Sequence, residues 1–81
     1  HLHMKQIEAD ELPFEFMMNT LRLNDGVKAD LYKQRTGLSL DDLNDVLTSL
    51  RARKLLVVDS ARLACTEQGH IFLNSVLEEF L

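Results

Sequence analysis

Cysteine is almost missing from this chain: Cys65 is the only one in 81 residues. A single thiol closes no intrachain disulfide and cannot assemble a cysteine-based metal site. A reducing compartment suits such a composition. Tryptophan is absent, proline occurs once, at Pro13, and glycine three times. No proline- or glycine-rich linker, low-complexity segment or internal repeat interrupts the sequence. No apolar run approaches the roughly 20 residues of a bilayer span, and no stretch has the form of a secretory signal, so the expected location is the cytoplasm. Positive charge is also scarce: nine Lys and Arg face thirteen Asp and Glu, leaving a net charge of −4. The field of the whole molecule therefore opposes nucleic acid and anionic membrane, unless a local basic patch overrides it.

What is present is apolar and helical in its spacing. Hydrophobic residues make up 46% of the chain and charged residues 27%, ordinary values for one small globular domain with a thin core. The stretch Leu12 to Leu23 is its most apolar helix candidate. Phe14, Met17, Met18 and Leu21 recur at i, i+3, i+4 and i+7, which predicts a buried face, widened by Leu12, Phe16 and Leu23. Pro13 suits a first helical turn, where its missing N–H is not needed. Asp10, Glu11 and Glu15 sit where the helix dipole favours carboxylates.

The rest of the chain supplies the surface that covers this helix. Asn24-Asp25-Gly26 reads as a turn, with Val27 as a short bridge. A weakly amphipathic helix follows from Ala29 to Arg35, stopped at Gly37 in the position after the C-cap. Ser39 suits an N-cap, with Asp42 completing a capping-box-like pair and Leu38 and Leu43 spaced as a hydrophobic staple. The helix they open is predicted over about Leu40 to Arg53, with Leu43, Val46, Leu47 and Leu50 on one face. Leu55 to Val58 reads as a strand, Asp59-Ser60 as a turn and Arg62 to Cys65 as the returning strand. Thr66 caps a last helix whose apolar side is Phe72, Leu73, Val76, Leu77, Phe80 and Leu81. The expected fold is mainly helical with a small β-hairpin, a winged helix-turn-helix in the order α-α-α-β-β-α. Residues 1–4, His-Leu-His-Met, read as a cloning remnant, with a His-x-His metal pair as the rival reading. Residues 5–81 read as the domain proper, cut from a longer protein.

Little in the sequence spells out chemistry. A nucleophile with its base, a carboxylate pair in a cleft or a metal cluster would be needed. Cys65 alternates with Leu63 and reads as a small core hydrophobe rather than a reactive thiol. His70 reads as a solvated side chain, Met17-Met18 as core packing and Glu78-Glu79 as a hydrated face. No catalytic, cofactor-binding or metal-binding residue is assigned. Winged helices often bind DNA through the helix after the turn, so a transcription regulator is the alternative reading. That helix opens on Asp41, Asp42 and Asp45, which a phosphate-lined groove repels. The cations Arg51, Arg53, Lys54 and Arg62 lie at its far end and on the hairpin.

A family resemblance extends this reading. Glu11-Leu12-Pro13-Phe14-Glu15-Phe16-Met17-Met18-Asn19, closing on Leu21-Arg22-Leu23, resembles the opening of the C-terminal domain of the oxygen-independent coproporphyrinogen III oxidase-like family. Arg35-Thr36-Gly37-Leu38 is similar to that family's next signature. Thr66-Glu67-Gln68-Gly69, running into Phe72 to Leu81, resembles its ending. The Phe-Glu-Phe-Met-Met-Asn form is closer to the haem-chaperone branch. The resemblance implies a parent with a radical S-adenosylmethionine barrel, whose Cys-x-x-x-Cys-x-x-Cys motif holds a 4Fe-4S cluster, and bound haem. This chain has one cysteine and no such motif, so none of those residues carries over. What it implies here is a non-catalytic accessory domain that packs on the parent's own barrel or binds a haem-accepting protein. If the barrel covers part of the first helix, the isolated domain should expose an apolar patch or self-associate.

Overall fold

The helix α1, Leu12–Thr20, lies against two other helices in the computed structural model, which describes residues 9–81. The predicted remnant at residues 1–4 lies outside the described residues. A 3₁₀ turn at Ala9–Glu11 leads into α1, and Pro13 occupies its first turn. Phe16, Met17, Thr20 and Leu21 are buried, while Phe14 is partly covered and Met18 is 38% exposed. The buried arc is thus turned away from the predicted Phe14–Met18 row. Packing explains the shift, because α1 is flanked by two helices, α2 (Asp30–Thr36) and α5 (Leu73–Glu78). Thr20 is admitted to the core because its hydroxyl donates to Phe16 O at 2.8 Å, which satisfies the polar group locally. Phe16 meets Tyr32 of α2 edge to face, with ring centroids 5.1 Å apart.

After α1 the chain turns at Gly26, whose φ of +61° and close approach to the Leu63 carbonyl leave no room for a side chain. It then forms β1, Val27–Lys28, which pairs antiparallel with β2, Arg62–Leu63, in the register Val27 to Leu63 and Lys28 to Arg62. Gly37 ends α2 with φ +74°, as predicted. The predicted helix over Leu40 to Arg53 is present in two pieces, a 3₁₀ turn at Leu40–Leu43 and α3 at Asn44–Ala52. Ser39 Oγ accepts from Asp41 N–H at 3.2 Å, which tightens the entry into a 3₁₀ turn.

The expected strand Leu55 to Val58 is reduced to one bridge, Leu56 with Cys65, and a Val57 N–H to Ala64 O bond of 2.9 Å. Val58 is 79% exposed, so a longer ladder would bury nothing there. The half-buried Arg51 closes this corner: its Nε donates to Val57 O at 3.1 Å and its Nη2 to Arg62 O at 3.2 Å. Arg62 in turn donates to the Asp25 carbonyl.

Thr66 caps α4, Glu67–Ile71, by accepting from Gly69 N–H at 3.0 Å, and its hydroxyl donates to Lys54 O at 2.6 Å. The predicted last helix breaks at Phe72 (φ −106°, ψ 35°) before α5 resumes. Val76, Leu77 and Phe80 are buried, Leu73 is partly covered, and Phe72 and Leu81 face solvent. The described residues form a mainly helical domain with one small two-stranded antiparallel sheet.

Candidate functional site

The titratable and sulfur-bearing residues singled out in the sequence do not converge. Cys65 lies two residues past β2, in the bridge to Leu56, and is 5% exposed in the core cluster. Burial pushes its thiol up to about 11, so it stays protonated near neutral pH and is a poor nucleophile. Met17 is wholly buried and Met18 is partly exposed on the opposite flank of α1. His70 is half-buried rather than solvated, with its Nε2 3.1 Å from Leu21 O. Its sequence neighbours gave no hint of this, because the partner is 49 residues away and belongs to the end of α1. Glu78 and Glu79 are exposed, and Glu79 reaches Arg53 at 3.6 Å in a solvent-facing pair. Among the described residues, no group of three or more His, Cys, Asp or Glu is placed to hold a metal ion.

Two concavities remain. One of about 270 Å³ lies between α1 and α2, where Leu12, Phe16 and Leu31 meet Glu15, Asn19 and Arg35. The other, about 420 Å³, is lined by Asp25, Asp59, Arg62 and Cys65 beside the sheet. This second concavity sets Asp25 and Asp59 with Cys65, but a buried thiol held protonated near neutral pH is a poor nucleophile there. Three of the four cations expected at one DNA backbone strand are occupied differently: Arg51 and Arg62 hold backbone carbonyls and Arg53 pairs with Glu79, while Lys54 is exposed. Asp41, Asp42 and Asp45 stand exposed around the start of α3. No helix among the described residues is long and apolar enough to cross a membrane.

The described residues define a small, mainly helical module with one two-stranded antiparallel sheet. Residues 7–72 match the HemN C-terminal domain, and the chain belongs to that family. It is also similar to two curated proteins, both named heme chaperone HemW. The one from Escherichia coli strain K12 is 36% identical over 77 residues, covering 95% of this chain and 20% of that protein. The one from Haemophilus influenzae is 32% identical over the same length, with the same coverage. The chain therefore spans about a fifth of the length of these relatives. No solved structure matches it significantly.

Proposed function

We propose that this chain is a non-catalytic accessory domain of a longer, haem-handling protein of the HemW kind. The observation that carries the reading is the match itself: 95% of this chain aligns with only a fifth of a heme chaperone. A domain of that proportion leaves the relatives' remaining length to house the chemistry. On this reading the parent is a radical S-adenosylmethionine protein of the cytoplasm with a 4Fe-4S cluster in a separate barrel. The domain covers the barrel or receives a haem-accepting partner. This chain's own residues do not fit the cluster, since one buried cysteine with a raised pKa cannot supply three thiolates. His70 is a poor candidate for an axial haem ligand, because ligation through Nε2 would sacrifice its contact with Leu21 O. We read the fold as a winged helix with a rudimentary wing. The β1–β2 pairing and the Leu56–Cys65 bridge support that reading.

Haem titrated into the purified chain should keep the Soret band of free haem. A shifted band that disappears in His70→Ala would overturn the accessory reading and make this domain a haem holder. The coding sequence that surrounds the chain should also encode a Cys-x-x-x-Cys-x-x-Cys run; a coding sequence without one removes the radical parent. Anisotropy with duplex DNA should show no saturable binding at low salt, whereas tight, salt-sensitive binding would favour the transcription-regulator alternative.

A further inference from the structure

Four large apolar side chains stand exposed near the two ends of one long-range contact. Ile71 and Phe72 are 71% and 51% exposed at the break between α4 and α5, and Met18 and Leu23 are 38% and 41% exposed at the end of α1. The His70 contact to Leu21 O ties these two places together at 3.1 Å. None of the four is more than three residues along the chain from one end of that contact. The break is what frees Phe72: its φ of −106° and ψ of 35° leave the helical region, so it departs from the row continued by Val76 and Phe80. Single exposed apolar residues are ordinary, but two in succession, tied through His70 to a segment with two more, have the composition of a contact surface.

The size of the patch selects its occupant. Together the four side chains offer on the order of 400 Å² of surface, about half of one partner's share of a free-standing interface. A patch that small holds a partner well only when a covalent connection raises the effective concentration to the millimolar range. Such a connection is available, since about four-fifths of the length of the HemW relatives lies outside the region this chain matches. We infer that the junction formed by Met18, Leu23, Ile71 and Phe72 is the face on which the remainder of a HemW-like polypeptide packs, through an apolar patch of its own. The inference rests on the accessory-domain reading above and adds to it the surface used.

Hydroxyl-radical footprinting tests it on proteins that exist as such: this chain and full-length E. coli HemW. Protection factors divide out the intrinsic reactivity of each side chain, so aligned positions can be compared. Positions aligned with Ile71 and Phe72 should be protected at least fivefold more in the full-length relative than in this chain. The position aligned with Val58, 79% exposed here and remote in sequence from the junction, should differ by less than twofold. Equal protection at Ile71 and Phe72 in the two proteins overturns the inference. That result would leave the haem titration, and with it the accessory reading, unaffected.

Discussion

Replacing Gly69 with alanine sets helix propensity against packing, and the two predict opposite signs. Gly69 lies within α4, and alanine in a helix interior is favoured over glycine by about 0.5–1 kcal/mol. A Cβ at this position would lie 1.9 Å from Leu55 O and 3.1 Å from Cys65 Cβ, whereas real Cβ contacts stay beyond 3.0 Å. Relief needs a shift of about 1 Å between α4 and the segment at Leu55. That segment is anchored on both sides: Leu55 N–H donates to Leu50 O at 2.9 Å, and Leu55 O accepts from Thr66 N–H at 3.1 Å. The Thr66 hydroxyl adds its 2.6 Å bond to Lys54 O. Moving α4 back weakens the two Thr66 bonds, at about 1 kcal/mol each, and strains the core by about 1–3 kcal/mol. After the propensity gain is subtracted, the net loss is about 2–4 kcal/mol. A domain of this size has about 4–12 kcal/mol in all. Urea unfolding followed by circular dichroism should show the midpoint falling by about 2–4 M, since the slope for a small domain is about 1 kcal/mol per M. Gly37→Ala is the control. There φ is +74° with nothing within 4 Å, so only the left-handed backbone penalty of about 1–2 kcal/mol applies. A Gly69→Ala variant that is neutral, stabilised or no worse than Gly37→Ala would refute the close-approach reasoning.

Two further outcomes follow from the same corner of the molecule. Arg51→Met keeps the aliphatic stem but strips the donors from Val57 O and Arg62 O. It should cost about 1–3 kcal/mol and speed amide exchange at Val57, and unchanged exchange there would show that the guanidinium is not the clamp. Cys65 is held protonated up to about 11 in the folded state. The unfolded chain releases that proton near its ordinary value, so stability is fully present below that value and is lost as pH rises through about 11. Melting temperatures should therefore fall more steeply above pH 9 for this chain than for Cys65→Ala, and parallel curves would contradict the assignment.

The sequence located most elements but fewer of their faces. α1, the Gly26 turn, the Gly37 stop and the Thr66 cap were legible because each depends on residues within one or two turns of chain. The buried arc of α1 was not. It depends on having α2 on one side and α5 on the other, and on Thr20 hiding its hydroxyl against Phe16 O. The strand at Leu55 to Val58 was over-read, since an apolar run carries no alternation to show that Val58 would face water. The break at Phe72 left no local mark either, because no proline or second glycine punctuates the last helix. Family membership was readable from the blocks around Pro13 and Gly69, and residues 7–72 match that family. The cleft between α1 and α2 and the apolar junction around His70 were not readable, because both join residues from separate elements.

The pairing of Val27 with Leu63 joins strands on either side of two intervening helices. During synthesis on the ribosome, α1 emerges long before α5 and its buried residues Val76 and Leu77. The nascent chain must carry a greasy helix covered by α2 alone until α5 has been made. Any premature stop upstream of Arg62 leaves the sheet unpaired and α1 without its α5 cover, a product destined for proteases rather than for a partial fold.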